Sequence, residues 1–294
     1  MITRRTLRRH HLFRPDEQMR SLFVYALAVS ARKHGIVVHV ATLMSTHEHL
    51  VVTDVAGVLP DFLRDLHRWV ALGTKVLRRW EGPVWDHEPS SIVVLRTRDA
   101  VVQKSAYAIA NPVLAGLVRE AREWPGVQTR PRDIGRGVLK ARRPAMFFDP
   151  ENEQWPESVE LELSPFPSIA GGWSAEEMRR AIEEEVARQE REARAEVRSR
   201  GAAFLGARRC QSVVPHKRAR SHEPVRKRNP TFAVGRGRAA ELREAVLELR
   251  EFRRAYHDAM SRWRAGDRAV TFPAGTWSMS RTHGVVVGAV SRAA

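Results

Sequence analysis

The stretch IVVHVATLMSTHEHLVV, Ile36 to Val52, decides the fold. Ile36 to Met44 is rich in β-branched residues and Leu50 to Val52 continues apolar, so two strands are expected on either side of a break at Ser45-Thr46. The second strand opens on His47-Glu48-His49, where alternation sets both imidazoles on one face and Glu48 on the other. A carboxylate on that opposite face must reach solvent or a basic partner, because an unpaired buried charge is costly.

Upstream, Pro15-Asp16-Glu17 opens a helical pattern of Met19, Leu22, Phe23, Ala26 and Leu27 that Gly35 closes, and Ile2 to Arg5 can form a short strand before it. Downstream, Leu59, Phe62, Leu63, Leu66, Val70 and Leu77 recur at helical spacing, with Pro60 tolerable in the first turn. Ser91 to Leu95 then reads as a strand and Asp99 to Ala110 as a third helix interrupted by Pro112. This order predicts an α+β domain, an antiparallel sheet flanked by helices.

From about Trp124 the texture changes, with Pro125, Gly126, Pro131, Gly135, Gly137 and Pro144 breaking any period. The expected organisation is therefore a domain over 1–128, an irregular linker over 129–173, and a basic, mainly helical region over 174–294. Ser174 and Glu177 form a capping-box signature that opens a charged helix to about Arg200, expected to present a solvated face. A helix over Ala239 to Arg264 carries an apolar stripe of Leu242, Val246, Leu249, Phe252, Ala255, Tyr256 and Met260, expected to pack. The end, TFPAGTWSMSRTHGVVVGAV, reads as a turn and two short strands. His216 to Arg228 is a basic segment, open to two readings: phosphate contact or linker.

The 50 Lys and Arg against 34 Asp and Glu give a net charge of +16, which points to a polyanionic partner, nucleic acid first. No apolar run approaches the roughly 18 residues of a membrane span, and no apolar signal core follows the basic N-terminus, so a cytoplasmic protein without a membrane partner is expected. The single cysteine, Cys210, excludes an intramolecular disulfide and a Cys-rich zinc site. Any metal must be held by His, Asn, Asp or Glu.

With 12 histidines in 294 residues, one His-x-His arises by chance about half the time. His47 and His49 could equally be two polar residues at a strand end, and a metal reading needs a third element. Tyr107 and Asn111 supply one candidate: at i and i+4 on a helix, a phenol and an amide project together. Tyr107 as a packed residue and Asn111 as a helix terminator before Pro112 are the competing readings. The other tyrosines, Tyr25 and Tyr256, lie in apolar stripes where packing explains them.

His47-x-His49 after Leu43-Met44-Ser45-Thr46, followed by Tyr107-x-x-x-Asn111-Pro112-Val113-x-Ala115-Gly116-Leu117-Val118, resembles the single-tyrosine HUH transposases, in particular the REP-associated, insertion-sequence-two-hundred-like branch. The resemblance spans roughly residues 1 to 130, with Trp85-Asp86 and Trp124-Pro125-Gly126 at matching places. It implies a ferredoxin-like HUH nuclease domain with Mg²⁺ or Mn²⁺ held by His47, His49 and Asn111, and Tyr107 as the nucleophile that cuts single-stranded DNA through a 5′-phosphotyrosine. Hairpin or repeat ends are the implied substrates, and family members include dimers that exchange the tyrosine helix. Three features depart from the family pattern: Glu48 stands where a bulky hydrophobe is usual, Ser45-Thr46 replaces Pro-Asn, and the chain begins within the first strand.

Around this core, Arg4, Arg5, Arg8 and Arg9 could track a DNA backbone. Lys104, one turn before Tyr107, reads either as a phosphate contact or as a solvated lysine, and Trp69, Trp80 and Trp85 either as base-stacking or as packing residues. The absence of a second tyrosine near Tyr107 and of a helicase-like motif weighs against a relaxase or replication initiator. A site-specific nickase, or a DNA-binding protein that has lost cleavage, remains the alternative to a transposase.

Overall fold

The computed structural model describes residues 1–146, 148–167, 172–221 and 230–288. The chain divides into two compact units, Met1–Gly235 and Arg236–Ala294.

In the first unit, β1 (Ile2–Arg5), α1 (Glu17–His34), β2 (Ile36–Leu43), β3 (His47–Asp54), α2 (Leu59–Arg78) and β4 (Ser91–Ile92) build an antiparallel sheet in the order β2-β3-β1-β4. Asp16 caps α1 by accepting from the Met19 N–H, and Gly35 ends it in the left-handed conformation at φ 62°. Val58 offers no capping side chain to α2, so the Asp54 carboxylate at the end of β3 accepts from the Val58 and Leu59 N–H groups instead. The two helices approach closely at Gly73, where a β-carbon would collide with buried Leu22. The expected single strand over 91–95 is split: Ile92 pairs with Ile2, whereas β5 (Val94–Leu95) turns away to pair with β8 (Phe232–Ala233).

The sheet is covered on both faces. Ile2, Val38, Ala41 and Leu50 pack under α1 and α2, while Val40 and Val51 pack under α3 (Arg98–Leu114). A bulge between Val38 and Val40 lets β2 serve both layers. Helix α3 runs through Pro112 rather than stopping before it. The proline removes one helical donor two residues from the end, where little of the ladder remains to be lost. Beyond the helix the chain returns along β2, with Trp124 Nε1 donating to the Leu43 carbonyl at 3.0 Å and Gln128 Nε2 to the Ile109 carbonyl at 2.6 Å.

One expectation for the middle of the chain is corrected and a second is extended. The stretch 129–173 includes an antiparallel hairpin, β6 (Gly137–Arg142) and β7 (Ser158–Leu163), whose Leu139, Ala141, Val159, Leu161 and Leu163 join the core around α1. That cover explains why α1 is apolar nearly all round, with Val24, Tyr25 and Ala28 buried beside Leu22 and Phe23. The charged helix α4 (Ala175–Ser199) has the Ser174–Glu177 capping box, yet it is not wholly solvated. Met178, Ile182, Val186 and Ala193 bury one face against the α3 layer. The short α5 (Ala207–Ser212) brings in Cys210, a free and buried thiol.

In the second unit, α6 (Ala239–Arg264) joins a small core through its C-terminal half, where Tyr256, Ala259, Met260 and Trp263 meet Val270, Phe272 and Met279. Leu242 and Phe252 in the anticipated stripe are exposed, so the stripe is packed along half its length. Where two terminal strands are expected, α7 (Trp277–His283) forms instead, stopped by Gly284 in the left-handed region. Only a Phe272–Val287 bridge is strand-like, and residues 289 and 290 of that expectation lie outside the described residues. Among the described residues no helix is long and apolar enough to cross a membrane.

Candidate active site

The site forms where β3 passes beneath α3. Pairing of β3 with β1 sets Thr3 opposite His49 and Arg5 opposite His47, so these four side chains share one face of the sheet. Thr97 caps α3 by accepting from the Ala100 N–H, which fixes the helix phase and places Tyr107 and Asn111 over the histidines.

The rings of His47 and His49 lie 4.7 Å apart, nearly perpendicular, and His49 meets the Tyr107 ring edge-on at 5.5 Å. His47 Nε2 is 3.1 Å from Asn111 Oδ1. The other ring nitrogens are engaged by threonines, His49 Nδ1 with Thr3 Oγ1 at 2.8 Å and His47 Nδ1 with Thr46 Oγ1 at 3.0 Å. Where a threonine hydroxyl donates to Nδ1, the same ring turns its Nε2–H toward Asn111 Oδ1; where Nδ1–H donates to the threonine, Nε2 keeps a lone pair that a metal can take. His49 Nε2 is buried without a hydrogen-bond partner of normal geometry. In the first arrangement His47 Nε2–H donates to Asn111 Oδ1 at 3.1 Å, and in the second the two atoms face each other as acceptors.

Electrostatics keep both imidazoles neutral. Burial pushes His47 down to about 4, against the bond to Asn111, with Arg5 and Arg9 adding to the depression. Burial, then His47 and Arg5, hold His49 well below the ordinary histidine value. Neutral imidazole is the form that binds a metal. Tyr107 is 40% exposed, so its phenol is open to a large substrate, and Lys104 Nζ lies 5.9 Å from its ring centre.

The donor set of two imidazoles and one amide oxygen fits a divalent cation. Adjacent ligands around an octahedral ion at about 2.1 Å stand about 3 Å apart, matching the His47–Asn111 separation. Imidazole donors suit Mn²⁺ better than Mg²⁺. Among the described residues no group of three or more His, Cys, Asp or Glu side chains is placed to hold a metal, and this cluster offers two histidines completed by an amide.

The arginines are not brought together. Arg5 belongs to the site's face. Arg4 lies on the opposite face with Glu48, where its Nη1 donates to His67 Nδ1 at 2.7 Å and its guanidinium covers the Trp85 ring. His67 Nε2–H in turn donates to Glu48 Oε1 at 2.5 Å, supplying the basic partner that a fully buried Glu48 requires. Arg4 is therefore a structural residue. Alternation, not proximity in sequence to Arg5, decides its side of the sheet. Arg8 is exposed, and Arg9 donates to the Ser221 carbonyl and hydroxyl. The tryptophans pack: Trp85 Nε1 donates to the His67 carbonyl, Trp69 meets Trp155, and Trp80 meets His10.

Sequence reasoning missed Thr3, Thr46 and His67. Only His67 left a signal, since it shares a helical stripe with Leu63 and Val70, the place to seek a partner for Glu48. No protein-family model, curated protein or solved structure matches the chain.

Proposed function

We propose that the protein is a metal-dependent DNA strand transferase of the single-tyrosine HUH type, a transposase, with Tyr107 as its nucleophile. The observation that carries this reading is the convergence of His47, His49 and Asn111 beside an accessible Tyr107, from β3 and α3. The strand order β2-β3-β1-β4 in a β-α-β-β-α-β chain also agrees with the ferredoxin-like pattern of that family.

Mg²⁺ or Mn²⁺ bound by His47, His49 and Asn111 would supply charge withdrawal from a non-bridging phosphate oxygen. The Tyr107 oxygen attacks phosphorus as its phenolic proton leaves to solvent. The P–O3′ bond breaks, and the departing 3′ oxygen takes up a proton from water, leaving a 5′-phosphotyrosine and a free 3′-hydroxyl. The phosphodiester is conserved in that linkage, so a second 3′-hydroxyl can displace Tyr107 and rejoin a strand without ATP. With the metal bound, Thr3 and Thr46 would accept from the Nδ1–H groups and so hold the tautomer that exposes Nε2.

The test is incubation with labelled single-stranded DNA carrying hairpin or repeat ends, with Mn²⁺ or Mg²⁺ and with EDTA. A covalent protein–DNA adduct is expected with metal, and none with EDTA or in Tyr107→Phe. An adduct that persists in Tyr107→Phe refutes the nucleophile assignment. No adduct from the unsubstituted protein on any such end favours a DNA-binding protein without cleavage.

A further inference from the structure

We infer that Arg5, Arg8 and Arg9, together with Lys217, Arg218 and Arg220, form a cationic lane that grips the phosphate backbone of duplex DNA next to the cleavage site. The choice of DNA as the polyanion rests on the strand-transfer reading.

The two stretches lie some two hundred residues apart in sequence, yet they are stitched together by main-chain bonds. The His11 N–H donates to the Lys217 carbonyl at 3.0 Å and the Ala219 N–H to the Arg9 carbonyl at 2.9 Å, with an antiparallel bridge between His10 and Arg218. Arg9 clasps Ser221 with two side-chain donors, at 2.6 and 2.7 Å. A solvated linker would not be pinned in this way. The pinning holds like charges side by side, an arrangement that costs free energy unless an anion lies across it. Lys217, Arg218 and Arg220 are exposed, and neither they nor Arg8 form an ion pair among the described residues.

Arg8 and Arg9 also adopt positive φ angles of 47° and 58°, unusual for residues with a β-carbon. The turn is held by the Arg8 N–H donating to Asp86 Oδ2 at 3.0 Å. The lane reaches the site, since Arg5 pairs opposite His47 across β1 and β3 and shares its face of the sheet. Single-strand recognition relies on open aromatic faces. The aromatic side chains beside this lane are taken up by one another, with Trp80 5.0 Å from His10 and 5.4 Å from His216. Backbone-only contact to a duplex fits such a surface.

The experiment is fluorescence anisotropy with a labelled blunt hairpin and, separately, an unstructured single strand, across a salt series in EDTA on a Tyr107→Phe background, so that no cleavage intervenes. Replacing Lys217, Arg218 and Arg220 by alanine should weaken hairpin binding about tenfold or more at low salt and lower the slope of log K against log salt by about 2 to 3. Arg218→Lys with Arg220→Lys, which keeps the charge, should bind as the parent does. An unchanged hairpin slope, a loss confined to the single strand, or an equal loss in the lysine variant overturns the lane. Full hairpin binding by a protein that makes no adduct leaves the lane standing and removes the strand-transfer reading instead.

Discussion

The two faces of β3 bury polar side chains one residue apart and treat them in opposite ways. On the α2 side, Arg4, His67 and Glu48 form a chain in which a cation donates to a neutral imidazole and that imidazole donates to a carboxylate. Its leftover atoms, Arg4 Nε and Glu48 Oε2, are one donor and one acceptor of opposite charge. On the α3 side, the Nε2 atoms of His47 and His49 gather beside Asn111, with His47 Nε2 3.1 Å from its Oδ1 and His49 Nε2 buried without a hydrogen-bond partner. The first face sets a cation and a carboxylate at the two ends of one imidazole and serves the fold. The second holds no carboxylate, and on the reading proposed above its neutral donors turn toward a divalent cation.

If that contrast is correct, substitutions on the two faces should separate activity from stability. The largest effect is expected for His49→Ala, a loss of adduct formation on the order of 10³-fold, with an unfolding free energy within about 1 kcal/mol of the parent. Comparable losses in both quantities would show that His49 is a packing residue. Glu48→Ala should invert the pattern, costing about 3 kcal/mol in urea unfolding because it strands Arg4 and His67. Glu48→Gln, which can still accept from His67, should cost about 1 kcal/mol. A smaller effect belongs to Thr3→Val, which removes the acceptor for His49 Nδ1–H and should weaken metal affinity about tenfold, with recovery in Thr3→Ser.

The smallest effect is in pH dependence. His47 is held down to about 4, whereas the unfolded chain titrates near 6.5, so in that window the unfolded state binds the extra proton. The contribution is therefore fully present above about pH 6.5 and is lost as pH falls toward 4. His47→Gln should flatten the slope of the urea midpoint over that interval, and an unaltered slope would place the titrating group elsewhere.

Much of this contrast was legible in the sequence. Alternation along His47-Glu48-His49 assigned the faces, the helical spacing of Tyr107 and Asn111 assigned the opposing wall, and the need of Glu48 for a basic partner anticipated His67 without naming it. What could not be read was register. Whether Thr3 or Arg4 faces the histidines depends on how β1 slides against β3, and a shift of one residue exchanges them. The hairpin of β6 and β7 was obscured for a different reason. Val159-Glu160-Leu161-Glu162-Leu163 alternates cleanly, but the surrounding prolines and glycines suggested an irregular chain. The lane beside Arg9 joins residues too far apart for any local signal to connect them.

Titration of the protein with Mn²⁺, followed by calorimetry and by the loss of the free-ion electron paramagnetic resonance signal, tests the central claim most directly. One ion per chain should bind to the parent and to Tyr107→Phe, and binding should disappear in His49→Ala and weaken in Asn111→Ala. No binding to the parent, or binding indifferent to His49 and Asn111, would contradict the assignment of this face as a metal centre.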